Sequence, residues 1–249
     1  MNVLVTGSAG FLGQGLVLPF RDHNHTLRLM DVRDHDAPDE VLVGDVGSQE
    51  DCRRAVAGMD AVVVAHMAPR EPDAYATPEV CFDVNVKGTA NLFFAAQEAG
   101  ITRMVVISST GAICDAGGPP WPRDLPLKSK GLYGLNKVCQ EMIAEHFSRQ
   151  FDMQVAVLRI GYVVDGDAMV DKYGRKISER APADTDRRDI GEVARLALMS
   201  DTLTYDVFHV MSTREAMDEW DVRYTCDRLG WQPRYDFDRL PLGASFRKP

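Results

Sequence analysis

The stretch Met1-Asn-Val-Leu-Val-Thr-Gly7-Ser-Ala-Gly10-Phe-Leu-Gly13-Gln-Gly15 decides how the rest of the chain is read. Asn2 to Thr6 is short, apolar and valine-rich, as a central parallel strand covered on both faces requires. Gly7, Gly10 and Gly13 follow, and from Phe11 and Leu12 onward the pattern turns helical. Gly7 allows a tight turn, Gly10 removes the side chain that would hold a pyrophosphate away from backbone N–H groups, and Gly13 lets the helix pack close to the strand. The N–H groups of the helix start then hold the anion. The spacing is GxxGxxG rather than GxGxxG, so a second element has to carry the nucleotide reading. It is supplied by the next strand, Thr26 to Met30, which ends in Asp31. A carboxylate there accepts both ribose hydroxyls of an adenosine and repels a 2′-phosphate. NAD is favoured over NADP, while Arg33 close by keeps NADP open.

The chain has 249 residues, 45% of them hydrophobic, enough for one large domain or two small ones with a sizeable core. Its formal net charge of −9 argues against a nonspecific nucleic-acid or anionic-membrane surface, so a small molecule is the expected partner. Five cysteines, Cys52, Cys81, Cys114, Cys139 and Cys226, show neither a CxxC pair nor metal-ligand spacing with the six histidines, and they read as reduced thiols with no metal. With no apolar run long enough to span a bilayer and a strand starting at residue 2, the expected compartment is cytoplasmic.

Strand and helix signals alternate along the chain, the mark of an α/β fold with a parallel sheet. Further strands are expected at Glu40 to Val46, Ala61 to Ala65, Arg103 to Ile107, Gln154 to Ile160 and Tyr205 to Val210. Ser48, three residues before Asp51, resembles a helix N-cap. Pro78 to Ala99 reads as a helix closed by Gly100, with Val80, Val84, Leu92, Phe93 and Ala96 on its buried face. Helices are also expected over Leu132 to Gln150 and Asp189 to Met199. Residues 69–78 and 117–122 read as loops, and the charge-rich stretch 161–188 as an irregular lid or substrate region.

The chemistry is carried by Tyr133 and Lys137, which are four apart on one helix face. A phenol is a poor acid or base near neutrality because its ordinary pKa is about 10. An ammonium one turn away favours the phenolate and lowers that value. The pair becomes a proton relay: the phenol exchanges a proton with a substrate hydroxyl or carbonyl while NAD exchanges the hydride. A hydroxyl from Ser108-Ser109-Thr110, at a strand end, can bond the same oxygen.

The chain resembles the extended, epimerase/dehydratase-like short-chain dehydrogenases/reductases. The matching stretches are Thr6-Gly-Ser-Ala-Gly-Phe-Leu-Gly13, Asp31, Asp45-Val46, Ala65-His-Met-Ala68, Asn85-Val-Lys-Gly-Thr-Ala-Asn-Leu92, Ile107-Ser-Ser-Thr110, Tyr133-Gly-Leu-Asn-Lys137 and Leu158-Arg-Ile-Gly161. The resemblance implies a Rossmann-type doubly wound parallel sheet over residues 1–161, with a small substrate-binding region over 162–249 packed on it. It implies that Asp45 and Val46 lie by the adenine, that His66, Met67, Ala68 and Ile160 line the nicotinamide path, and that Lys137 also binds the nicotinamide ribose. It places the catalytic hydroxyl on Thr110 or Ser109, with Thr110 favoured, and implies a homodimer through the helices at 78–99 and 132–150.

Within that family, the helix start at Gly131-Leu-Tyr-Gly-Leu-Asn-Lys137 and the tail Leu229-Gly-Trp-Gln-Pro233 are similar to the uronate dehydrogenase branch. The chain departs from that branch at the sugar-binding positions, where it carries Glu71, Thr110, Gly111 and Tyr162. Arg180 fits the family offset for a carboxylate-binding arginine. The expected activity is NAD-dependent hydride transfer to or from a small sugar, sugar acid or similar hydroxy compound. A sugar epimerase with tightly held NAD and a noncatalytic dinucleotide sensor are the alternatives.

Overall fold

Seven parallel strands form the central sheet of the computed structural model: β1 (Asn2–Thr6), β2 (Thr26–Asp31), β3 (Glu40–Val43), β4 (Ala61–Val64), β5 (Arg103–Ser109), β6 (Gln154–Ile160) and β7 (Tyr205–Val210). The structure describes residues 1–71, 74–114 and 118–243, without the side chains of 70, 71, 74 and 75. Strand order is β7-β6-β5-β4-β1-β2-β3, so the chain winds outward from β1 in one direction and returns through β4 in the other. This is the doubly wound, Rossmann-type α/β fold, and its ligand crevice opens beyond the carboxyl ends of the strands where the winding reverses.

Alternation along each strand supplies two apolar layers, because successive side chains point to opposite faces. Val3, Val5, Leu27, Leu29, Val105 and Leu158 pack with Phe20, Ile190 and Phe208 on one face. Leu4, Met30, Val62, Val106 and Val157 pack with Leu92, Phe93 and Ala96 on the other. Helices cover both faces, which is why the strands read as continuous apolar runs.

Several boundaries differ from the sequence expectation. β3 ends at Val43, and Asp45 instead closes a turn: its carboxylate accepts the Gly47 N–H at 2.8 Å and its carbonyl accepts the Ser48 N–H at 2.9 Å. Ser48 does cap the next helix, accepting the Asp51 N–H at 3.2 Å. β5 runs on to Ser109, so two of the three hydroxyl residues belong to the strand. The expected helix over 78–99 is interrupted by a π-helical segment, Phe82–Lys87, and Val80 is not on its buried face but 38% exposed. Within the expected loop at 69–78, residues 70–71 pair antiparallel with 74–75.

The largest difference is at 161–188, which is not irregular. Tyr162–Asp165 is the centre of a three-stranded sheet, antiparallel to Val170–Asp171 and parallel to Asp184–Asp186. Asp184-Thr185-Asp186 gives no strand signal because it is polar, yet it is buried and satisfied by hydrogen bonds. Asp184 Oδ2 accepts the Ala181 N–H at 2.9 Å, Thr185 Oγ1 donates to the Val210 carbonyl at 3.1 Å, and Asp186 Oδ2 accepts the Gly166 N–H at 3.1 Å. Among the described residues, no helix is long and apolar enough to cross a membrane, and no group of three or more His, Cys, Asp or Glu is arranged to hold a metal ion.

Candidate active site

A cleft of about 1310 Å³ lies over the carboxyl ends of the strands, and nearly all the site residues singled out in the sequence, from Gly7 to Tyr162, line it. Its floor at one end is the glycine turn. Gly7 has φ +72°, and a Cβ there would lie 2.7 Å from His66 Cα at the end of β4. Gly13 is held as tightly, since a Cβ would sit 2.5 Å from the Gly7 carbonyl oxygen. The helix therefore packs on the turn itself rather than on the strand. At Gly10 a Cβ would meet a single neighbour, the Gly7 oxygen at 3.2 Å, so the backbone there faces open space. Phe11 and Leu12 begin a six-residue helix, Phe11–Leu16, that has no side-chain cap. A bare turn whose empty side faces the cleft suits the pyrophosphate of a dinucleotide.

Asp31 ends β2 beside this turn. Its Oδ2 accepts the Ala9 N–H at 3.1 Å and its Oδ1 accepts the Arg33 N–H at 3.1 Å. The Asp31 side chain is 8% exposed, whereas that of Arg33 is 66% exposed with its Nε 3.4 Å away. The carboxylate is thus a buried part of the cleft wall and the guanidinium an exposed rim group. Asp45 and Val46 line the same end, with Val46 buried against Gly88.

His66, Met67 and Ala68 continue from β4 along the cleft floor. His66 is buried, its Nδ1 3.0 Å from Thr6 Oγ1, and burial together with the charge of Lys137 lowers its pKa to about 3. It is a neutral imidazole at working pH. Met67 is 40% exposed, while the Ala68 N–H is tied to Asn85 Oδ1 at 2.8 Å. Asn85 Nδ2 in turn donates to Asn136 Oδ1 at 3.2 Å, linking the floor to the helix Gly131–Phe151.

That helix carries Tyr133 and Lys137. Lys137 is buried, donates from Nζ to the Ile107 carbonyl at 2.8 Å, and burial lowers its pKa to about 8, with Glu141 opposing the shift. Its Nζ is 5.9 Å from the centroid of the Tyr133 ring. A Cβ placed on Gly111 would lie 3.3 Å from Tyr133 Cε1 and 3.4 Å from Ser109 Oγ, so phenol ring and hydroxyl converge on Gly111 and leave no room for a side chain there. Gly134 is needed for this approach, because a Cβ there would be 2.7 Å from the Gly111 carbonyl oxygen. Ser109 Oγ accepts the Gly111 N–H at 3.1 Å, and Thr110, which also lines the cleft, begins the short turn that follows. Ser108 is committed elsewhere, donating to Glu141. Glu141 forms a buried pair with Arg159, Nη2 to Oε2 2.9 Å, that fastens the Tyr133 helix to β6. The sequence reading passed over Glu141, whose acidic character gives no hint of burial.

Beyond Tyr133 the cleft departs from the expected substrate site. Ile160, Gly111 and Tyr162 line the cleft, but the Tyr162 hydroxyl donates to Asp171 Oδ2 at 3.1 Å and accepts from Arg175 at 3.1 Å. The side chain of Glu71 lies outside the described residues. Arg180 is not among the cleft residues; it pairs with Glu215 at 2.7 Å and donates to the Leu240 carbonyl, joining the 180 segment to the tail. The wall contains residues the sequence reading missed: Trp121, Tyr173 and Trp220. Trp121 and Trp220 stack with centroids 4.2 Å apart. They come from separate segments, and no spacing rule could have joined them.

Comparison with solved structures agrees with this fold. The chain is similar to a short-chain dehydrogenase/reductase superfamily protein from Agrobacterium tumefaciens with bound NAD, at TM-score 0.80 and 22% identity over 96% of this chain and 95% of that one. It is also similar to a mutant uronate dehydrogenase from Agrobacterium tumefaciens complexed with NAD, at TM-score 0.75 and 22% identity over 94% and 84% of the two chains. Among curated relatives, a 3-beta-hydroxysteroid dehydrogenase of Mycolicibacterium neoaurum is 36% identical over 120 residues, which are 45% of this chain and 33% of that protein. The chain thus spans about a third of the length of that relative. An L-arabinose 1-dehydrogenase (NAD(P)(+)) of Haloferax volcanii is 28% identical over 71% of this chain and 73% of its own. The sequence pattern of one family matches residues 3–214, and the chain belongs to it: the NAD dependent epimerase/dehydratase family.

Proposed function

We propose that this protein is an NAD-dependent oxidoreductase that moves a hydride between NAD and a hydroxyl or carbonyl carbon of a small molecule, with Tyr133 as the acid/base. The observation that carries the reading is the convergence of the Tyr133 ring and Ser109 Oγ on Gly111 in the cleft wall, with Lys137 buried one helical turn from Tyr133. In this reading Gly7, Gly10, Gly13 and the helix start at Phe11 and Leu12 cradle the pyrophosphate, and Asp31 accepts the adenosine ribose hydroxyls. Asp45 and Val46 border the adenine, while His66, Met67, Ala68 and Ile160 border the nicotinamide. NAD, when bound, supplies the hydride acceptor or donor. Lys137 holds the nicotinamide ribose and favours the phenolate of Tyr133. Tyr133 takes the substrate hydroxyl proton during oxidation and returns one to the carbonyl during reduction. Ser109, rather than the Thr110 favoured on sequence grounds, is the hydroxyl we assign to the substrate oxygen, because its Oγ and the Tyr133 ring both approach Gly111.

Residues 1–161 form the cofactor core of this reading and 162–249 the substrate region. A homodimer through the helices at 78–98 and 131–151 is part of the proposal, supported by Phe82, Phe94, Leu135, Met142 and Phe151, large apolar side chains exposed on those two segments. A cytoplasmic setting is supported by the five cysteines, all free.

The test is formation of reduced nicotinamide on mixing the protein with NAD and a panel of alcohols. Formation that needs both substrate and Tyr133 is the expected result. A second reading, a sugar epimerase that keeps its NAD, is favoured by the UDP-glucose 4-epimerase 3 of Oryza sativa among the similar proteins. It predicts cofactor retained through purification and product formed with no net change in NAD redox state.

A further inference from the structure

The substrate end of the cleft differs in chemistry from what a sugar requires. Resting on the oxidoreductase reading above, we infer that the substrate is a secondary alcohol or ketone on a flat apolar body, an alicyclic or aromatic ring, and not a sugar or sugar acid. The stacked Trp121 and Trp220 form one wall, each only 7% exposed, and Tyr162, Val163 and Pro119 extend it. Among the described residues that line the cleft on this side of Tyr133, there is no Asn, Gln, Asp, Glu or Arg.

A sugar presents several hydroxyls, and each one taken out of water needs a partner or it destabilises the complex. The partners at this end are few. Ser109, Thr110 and Tyr133 adjoin the reacting oxygen, and the Tyr162 hydroxyl is engaged by Asp171 and Arg175. Tyr173 Oη and Trp220 Nε1 are buried with no partner, and each can serve one further polar atom. Lys130 and Lys172 already interact with other groups of the chain. Arg180, the arginine expected to bind a carboxylate, is held by Glu215 away from the cleft. Among the described residues, a site with one reacting oxygen, the unpartnered Tyr173 Oη and Trp220 Nε1, two engaged lysines and two indoles fits a ring bearing one or two oxygen functions better than a polyhydroxylated sugar. Flat apolar faces also stack on aromatic walls with no loss of hydrogen bonds.

The experiment measures turnover and binding separately. Turnover with NAD is compared for cyclohexanol, 1-indanol and a 3β-hydroxysteroid against D-glucuronate, D-galactose and L-arabinose. Binding of each probe to the NAD complex is followed by quenching of indole fluorescence, since Trp121 and Trp220 line the cleft and Trp231 does not. The inference predicts kcat/KM higher by about 100-fold for the best ring alcohol over the best sugar, the discrimination an apolar pocket exerts against added hydroxyls. Val163→Thr, close to isosteric, should lower kcat/KM for the ring alcohol severalfold and leave NAD affinity unchanged; Trp121→Ala should do so more strongly. Preference for any of the sugars overturns the inference and leaves the oxidoreductase reading standing. Ring alcohols that quench fluorescence but are not turned over support the substrate class and count against hydride transfer. Absence of binding by every ring alcohol overturns the substrate class.

Discussion

The two halves of the cleft are built by different means. The half proposed for the cofactor is made largely of backbone at strand ends: the turn from Gly7 to Gly13, Asp31 at the end of β2 and His66 two residues past β4. The substrate half is made of side chains from the segments at 109–111, 118–121, 162–163, 172–173 and 220, which meet only in three dimensions. A backbone site must place glycines at fixed offsets and so writes itself into the sequence. A side-chain wall needs volume and polarity at a point in space, which segments of any spacing can deliver.

Substitutions in the first half should act on NAD and spare the substrate, and the reverse should hold in the second. The largest effect on NAD binding is expected at Gly7, where alanine would combine positive φ with a Cβ 2.7 Å from His66 Cα. Together these cost a few kcal/mol, so Gly7→Ala should weaken NAD by roughly 100-fold in a titration, with a lowered melting temperature. Asp31→Ala is next: NAD should weaken by about tenfold, as for loss of a charge-assisted hydrogen bond, with relative use of NADP improved. Unchanged preference would mean the ribose is read elsewhere. The smallest effect is expected from Tyr173→Phe, which removes one hydroxyl from the substrate wall. NAD affinity should be unaltered and kcat/KM for a ring alcohol changed by no more than about threefold.

Stability should also report on how the floor of the cleft is built. His66 and His209 are both buried, and burial lowers each pKa from 6.5 to about 3. The unfolded chain then binds more protons between those values, so folding stability should fall as pH drops from about 6.5 toward 3. Asp189 acts with the opposite sign: burial raises it to about 7, and its contribution is lost as pH rises through that value. Urea midpoints measured across this range should fall on acidification, and His209→Gln should flatten the fall. A midpoint that rises steadily toward pH 4 would contradict the assignment of two neutral buried imidazoles.

Much of the fold was legible because strand and helix periodicities are local. β6 and β7 were expected with the bounds observed, and the turn, Asp31, Tyr133 and Lys137 were all read from spacing. What was not legible was polar burial. Asp184-Thr185-Asp186 looks like solvated coil, yet it is a buried strand whose side chains cap backbone groups. Glu141 and Arg159 look like surface charges and form a buried pair under the Tyr133 helix. Arg180 was misplaced for the same reason, since no local rule says whether an arginine finds its carboxylate in the protein or in a substrate. Trp121 lies in a stretch that reads as a loop and Trp220 carries no local signal, and only the fold stacks them.

The central claim is that Tyr133 moves a proton while NAD moves the hydride, and Tyr133→Phe tests it most directly. The ring that lies beside Gly111 is kept and the proton is removed. Turnover should fall by about 1000-fold, within the range for loss of a positioned acid/base, while the Kd for NAD stays within about twofold. Turnover equal to that of the unaltered protein, at the same NAD affinity, would contradict the account.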